Sequence, residues 1–520
     1  MTSFDVIVIG GGHNGLVAAA TLGKAGRKVL LVEAASELGG AARTEEFAPG
    51  FRVSSVAHIL NRLHPDVVKT LELGKHGLSF EAKAFAPSVA LSKDGEPLVL
   101  NGAYGETLIG ASVAEAAAWT ELRAQLFRYA AILKPFLAKR PPALHGMSFG
   151  EKSSLGMAAL SVRRLGKEDM RDFLRMLLMN VADVLDEHLE DERLRGLVAF
   201  DAVLGSHLGP RSPTSLLGLY YRLAGELGGT SGAQLLPKGG MGAVVAALAA
   251  AAEAAGVKVR KSGNVSRILN EKGRAVGIVV GGEEIRAKTV VSAINPRATL
   301  LDLVGARDLD TGVVRKAKNI RMKGDAAKLN LALDRVPEFK GAAADVLHGR
   351  LVIAPSVDDV ENAFNPSKYG EFSPYPAMEI TLPSLSDASL APSGACVLSA
   401  IVQYAPYELK GGWERGKPEL LKTIMATLED YAPGIGKLVH HADLLTPSDI
   451  ETRYRMPGGH WHHGELQIDQ MLVSRPFYGA DGYDTPIEGL FLAGAGSHPG
   501  GGVSGVPGLN AARRVIEMRA

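Results

Sequence analysis

Three glycines, Gly10, Gly12 and Gly15, stand at the spacing G-x-G-x-x-G, and an acid, Glu33, follows 18 residues after the last of them. Each type has a task if the ligand is a dinucleotide. Gly10 permits a tight turn, Gly12 lets the main chain approach a pyrophosphate, and Gly15 lets a helix pack closely on a strand. The phosphates then face unpaired amide groups at a helix N-terminus, where the dipole favours anions. Glu33 is placed to accept hydrogen bonds from ribose hydroxyls and would repel a 2′-phosphate, which argues against NADP here. Two further glycine-rich stretches bring main chain close to something. One reads Glu37-Leu-Gly39-Gly40-Ala41-Ala42-Arg43-Thr44; the other runs from Gly489 through Gly494, Ala495, Gly502 and Val503 to Gly508.

Groups able to move protons are scattered. Residues 328–334 alternate, with Leu329, Leu331 and Leu333 on one face and Lys328, Asn330 and Ala332 on the other. Such a polar face either lines a cavity or meets solvent, and both readings stay open for Lys328. The cluster His460-Trp461-His462-His463 offers acid/base groups or a loop packed around Trp461. Carboxylates at helical spacing do not accompany it, so no metal is expected. His58 is a similar candidate, and Tyr404, ending an apolar run, offers a hydroxyl. His498 stabilises its loop as readily as it serves chemistry. The single cysteine, Cys396, reads as a small buried hydrophobe in an apolar strand. One cysteine excludes an internal disulfide, a redox pair and a multi-cysteine zinc or iron–sulfur site.

The first glycines are positioned by an apolar run over 4–9, a helical pattern over 16–25 ending at Gly26, and a second strand over 28–32, a β-α-β unit. Residues 65–73, 113–140, 155–201 and 215–227 read as helical. Gly239-Gly240-Met241-Gly242 lacks a strand before it and an acid after it, so it reads as a tight helix start. A strand over 257–261, a hairpin over 263–280 turned at Glu271-Lys272-Gly273, and strands over 289–294 and 489–494 extend the first sheet. Strands over 326–334 and 395–404 belong to a second one. The expected fold class is α/β: a discontinuous Rossmann-like nucleotide domain (1–65, 235–295 and 486–520) beside a mixed-sheet substrate domain with a helical insertion (66–234 and 296–485). A chain of 520 residues is long enough for two or three domains. A net charge of +1 gives no footprint for nucleic acid. The stretch 243–255 is too short to span a bilayer, and the N-terminus shows no leader pattern. A cytoplasmic location is expected, with peripheral membrane contact and homo-oligomerisation left open.

The second and third glycine stretches resemble those of the phytoene desaturase and amine oxidase group of FAD enzymes. The resemblance extends over nearly the whole chain through Leu236-Pro-Lys-Gly-Gly-Met-Gly242, Gln403-Tyr-Ala-Pro-Tyr407, Tyr431-Ala-Pro-Gly434, Leu445-Thr-Pro-Ser-Asp449 and Pro457-Gly-Gly459. It points to the pyridine nucleotide-disulphide oxidoreductase domain-containing branch of the phytoene desaturase-like flavoproteins. It implies FAD as cofactor, held around Gly10, Gly12, Asn14 and Gly15, at Glu33 and Ala34, and along Gly39 to Arg43. Val265 would meet the adenine through its backbone, and Gly494, Ala495, Gly502 and Val503 would approach the ribityl chain and ring. In amine oxidase relatives a lysine holds a water near the flavin, and Lys328 is the candidate. The implied activity is a dehydrogenase or desaturase passing hydride from a substrate C–H to flavin N5. Its substrate would be hydrophobic, with carotenoid-like polyenes the family association, and its acceptor oxygen or a quinone. A reduced-flavin isomerase and a flavin-bound interaction protein with little turnover are the alternatives. Disulphide chemistry, which the branch name suggests, needs a cysteine pair that this sequence lacks.

Overall fold

A computed structural model describes residues 4–78, 85–142, 147 and 149–518; the leader reading, made on residues 1–3, lies largely outside them. Strand β1 (Phe4–Ile9), helix α1 (His13–Lys24) and strand β2 (Val29–Val32) form the expected unit. β1 runs parallel to β2, and β2 to Lys258–Arg260. On its other side β1 pairs in parallel with the second half of Glu283–Ser292, which also pairs with Leu490–Leu492. Val6, Ile7, Val8 and Leu31 are wholly buried. Helices cover both faces of this sheet: α1 with Met241–Ala254 and Val506–Glu517 on one, and the segment Ala298–Gly305 on the other. A parallel sheet sealed on both sides needs continuous apolar strands, which is why 4–9 shows no alternation. The hairpin of Val265–Glu271 and Arg274–Val280 turns at Lys272 and Gly273, with φ of 54° and 82°, the geometry that matches strand twist in a two-residue turn.

A second, eight-stranded sheet runs in the order Val439–Leu445, Ala326–Leu333, Cys396–Gln403, Ala377–Thr381, Arg350–Ile353, Ser88–Ala90, Leu98–Asn101, Thr107–Ile109. It is mixed: Arg350–Ile353 pairs in parallel with Ser88–Ala90, and the remaining pairs are antiparallel. The alternation over 328–334 is realised. Leu329, Leu331 and Leu333 pack with Leu420, Ile424 and Leu428 of helix Trp413–Tyr431. On the other face the register sets Lys328 opposite Ile401 and Ile401 opposite Glu379, forming one row across three strands. Lys328 is 1% exposed, so its solvent-facing reading falls.

Helices Val113–Ala138, Val181–His188, Glu192–Val203 and Leu216–Leu223 build a third core with Val352 and Ala377 of this sheet. A Cβ at Gly218 would fall on the Ala202 carbonyl, which is how the last two cross so closely. The region read as several helices over 155–201 also holds Phe149–Arg164 and Lys167–Met176. Gly239 to Gly242 is a helix start, as read. Among the described residues no helix is long and apolar enough to cross a membrane.

Candidate active site

The first glycine turn lies at the C-terminal edge of the parallel strands, where a doubly wound sheet opens a crevice. Gly10 has φ +97°, and a Cβ at Gly15 would land on the Gly10 carbonyl oxygen. A Cβ at Gly12 would meet nothing within 4 Å and would point into open space. Gly12 caps α1 with no side chain, so the first amides of the helix are free for a ligand. The Glu33 carboxylate accepts from the Gly11 amide (2.6 Å) and the Ala35 amide (2.7 Å), tying this turn to the end of β2. The Gly39 amide donates to the Gly11 carbonyl (2.9 Å), laying the second glycine stretch against the first.

The resulting cleft, about 390 Å³, takes Gly10, Gly12 and Asn14 from the first turn, Glu33 and Ala34 from β2, and Gly39, Gly40 and Ala41 from the second stretch. Val265, at the start of a later strand, and Ala495, in the loop after Leu490–Leu492, complete it. His13 Nε2, Asn14 Oδ1 and His463 Nδ1 are buried in its wall without partners. Buried polar atoms are normally paired, so the cleft is built for a polar ligand. An open Gly12, free helix amides and an acid in the cleft wall fit a dinucleotide.

A second cavity adjoins the cleft at His13, Ala41 and Trp461. Its apolar wall includes Val56, Ala57, Leu204, Ile401, Leu466 and Val503; its polar wall includes His58, Arg62, Asp201, Arg222 and Glu379. Behind this wall runs a buried row of charges. Arg350 bridges Asp201 and Glu379. His58 Nε2 lies 2.8 Å from Glu379 Oε1, and His58 Nδ1 lies 2.9 Å from Lys328 Nζ. The pattern fits a neutral His58 whose Nε2–H donates to Glu379 while Nδ1 accepts from Lys328. Burial, with Lys328 beside it, lowers His58 to about 4. Burial lowers Lys328 to about 7, against the pull of Glu379. Burial alone would raise Glu379, but Arg350 and His58 hold it below the ordinary carboxylate range.

The expected residues divide. His58 and His462 line this cavity, as do Ala42, Gly502 and Val503, and Lys328 sits behind His58. Tyr404 does not reach it: its hydroxyl donates to the Leu208 carbonyl (2.8 Å). His460 is buried 3.3 Å from Glu465 and accepts from the His462 amide, outside both cavity walls. Trp461 packs on Gly205, joining the loop to the helices. Arg43 pairs with Glu45 (2.9 Å) and lies over the Tyr454 ring rather than in the cleft. Gly494 is required by packing between the Ala293 and Ile294 carbonyls. Sequence reasoning missed Arg62, Asp201, Tyr221, Arg222, Arg350 and Glu379; each stands alone in an apolar or helical stretch, with no spacing to mark it. Among the described residues no group of three or more His, Cys, Asp or Glu is placed to hold a metal.

Comparison with known proteins places this geometry. A family model described as flavin-containing amine oxidoreductase matches residues 15–516. A rat protein called pyridine nucleotide-disulfide oxidoreductase domain-containing protein 2 is 34% identical, over 99% of this chain and 93% of its own. It bears out the resemblance read from the motifs. One subunit of the limonene dehydrogenase of Castellaniella defragrans is 28% identical, over 99% and 94%. A solved putrescine oxidase bound to putrescine shares the fold with a TM-score of 0.60 at 17% identity, over 100% and 99%.

Proposed function

Because the chain belongs to the flavin-containing amine oxidoreductase family and its cofactor is FAD, we propose that it is a dehydrogenase or desaturase of a hydrophobic, polyene-like substrate, with oxygen or a quinone as acceptor. The observation that carries this reading is the mostly apolar cavity that meets the dinucleotide cleft at His13, Ala41 and Trp461. Bound FAD supplies the acceptor for two electrons and one hydrogen. The protein holds the two partners together, excludes water and takes up the proton left behind. Val56, Ala57, Leu204 and Ile401 exclude water along the cavity. Glu379, in the wall, receives the proton and passes it to His58 Nε2, while the Nδ1–H of the other His58 tautomer goes to the uncharged Lys328 amine. The pattern with Nε2–H on Glu379 is the state after that transfer. The name of the limonene dehydrogenase relative supports oxidation of a hydrocarbon. The lone cysteine, buried beside Ser384, supports an acceptor other than a disulfide.

Purified protein mixed anaerobically with candidate polyenes tests the reading: the flavin absorbance near ~450 nm bleaches with a substrate. An oxidised spectrum that no apolar substrate changes would sink it. The proton route adds a pH dependence. Lys328 is charged below about 7 and able to accept only above it. The rate of flavin reduction is therefore expected to rise with pH through about 7. Lys328→Met flattens that limb and lowers the rate by about 10²-fold, the usual scale of a lost proton acceptor. An unchanged profile in the variant removes Lys328 from the route.

A further inference from the structure

Among the described residues, Arg62 is a buried cation without a counter-ion. It is 9% exposed, and its Nε has no hydrogen-bond partner. Its guanidinium stacks on the Tyr221 ring, 3.5 Å from the centroid, and that ring is held by a hydrogen bond from its hydroxyl to the Gly501 carbonyl (2.8 Å). The charged side chain that acts on it is another cation, Arg222. The other buried cations nearby have partners for their charged ends, Lys328 at His58 Nδ1 among them, although Arg475 Nε also lacks one. Arg350 lies between Asp201 and Glu379, Arg222 is 3.5 Å from Asp201 and donates to Gln234, and Arg475 is ringed by backbone carbonyls. Among the described residues, Asp201 and Glu379 are thus already used, and the cavity keeps a positive surplus at Arg62.

An isolated charge is among the most costly groups to remove from water. A fixed guanidinium, stacked and rigid, is at the same time a ready partner for a carboxylate, which it can bind through two parallel hydrogen bonds. The FAD phosphates do not fill this need, because Arg62 lies in the wall of the second cavity and not in that of the dinucleotide cleft. The wall of its cavity is mixed: Ile59, Leu204, Ile401 and Leu466 supply an apolar side, and the carboxylates on the polar side, Asp201 and Glu379, are the ones already paired. We infer that the substrate is an apolar molecule carrying one carboxylate, and that Arg62 is the group that binds it. The inference rests on the dehydrogenase reading for the site's identity as a substrate cavity. It narrows that reading from hydrocarbons to hydrophobic acids, with the apolar body against Ile401 and Leu204 and the anion on Arg62.

The test is equilibrium binding, so it does not depend on turnover. The FAD-loaded full chain is titrated with decanoate, methyl decanoate and decan-1-ol, following the change in flavin absorbance and, in parallel, heat. Decanoate is expected to bind at least ~10-fold tighter than the ester or the alcohol, the scale of one charge-assisted pair. Arg62→Met is expected to weaken decanoate by at least ~10-fold while leaving the ester unchanged, and Arg62→Lys to retain part of the preference. Equal binding of acid and ester to the wild-type protein, a comparison that requires no variant, overturns the inference. So does unchanged decanoate binding in Arg62→Met. Loss of FAD from that variant, or a shifted flavin spectrum without ligand, overturns it as well and gives Arg62 to the cofactor. Acid-selective binding with no flavin reduction by any apolar substrate would leave the binding site standing and remove the dehydrogenase reading.

Discussion

Gly15→Ala is expected to lose both FAD and much of the fold, whereas Gly12→Ala loses FAD and keeps the fold. The two glycines are three residues apart, yet their surroundings are opposite. A Cβ at Gly15 meets the Gly10 carbonyl oxygen, a backbone atom held in the turn that joins β1 to α1. Backbone cannot swing aside as a side chain would, so helix and strand must separate. The cost is expected at about 3 kcal/mol, the upper part of the range for overpacking. That is a large share of the roughly 5–15 kcal/mol that keeps a domain folded. A Cβ at Gly12 meets no protein atom within 4 Å. It projects where the pyrophosphate would lie, and in the apoprotein it costs only about 1 kcal/mol through poorer N-capping. The check is the FAD-to-protein ratio by absorbance together with the melting temperature of the apoproteins, so that the cofactor's own stabilisation is removed from the comparison. Full FAD loading of Gly12→Ala would mean that the pyrophosphate does not cross this turn.

Arg350→Met is the second large effect. Arg350 is wholly buried and is the shared partner of Asp201 and Glu379. Removing it strands two carboxylates in the interior, and breaking one partner out of a buried pair costs about 3–5 kcal/mol. The triple variant with Asp201→Asn and Glu379→Gln is expected to recover most of that loss, since it buries neutral groups instead of unpaired charges. The pH dependence has a definite sign. Glu379 is held below the ordinary 4.5, so it contributes stability above that value that is lost as the pH falls below it. Arg350→Met removes the largest cause of that depression, and denaturant midpoints measured from pH 5 down to pH 3 should then fall less steeply than in the wild type. A single variant as stable as the wild type would show that Arg350 is not what holds the two carboxylates in the interior.

The nucleotide-binding part was legible because its residues act locally. Gly10, Gly12, Gly15 and Glu33 belong to one short unit, and their spacing is set by one turn, one helix and one strand. Lys328 was legible as one of a polar face because strand alternation survives in the sequence, but its burial was not, since burial depends on what covers the face. His58 and Glu379 are 321 residues apart and meet only when the second sheet forms. The strand Ser88–Ala90 and the edge strand Thr107–Ile109 are three residues each, too short to carry a period. Tyr404 was misleading for a related reason. A hydroxyl at the end of an apolar strand says nothing about which neighbouring carbonyl will claim it, and here Leu208 does.

The arrangement of the first sheet also bears on how the protein is made. Its founding strand, β1, leaves the ribosome ahead of its partners, while Leu490–Leu492 and the helix Val506–Glu517, which packs on α1, arrive last among them. At synthesis rates of about 5–20 residues per second, roughly 25 to 100 seconds pass between them. Through that interval α1 lacks the helix that packs against it, and Glu283–Ser292 lacks its Leu490–Leu492 partner. The cleft wall is completed only when Ala495 has been made. A chain that stops before residue 490 is therefore expected to lose at once a strand of the first sheet, the cover of α1 and one wall of the cleft.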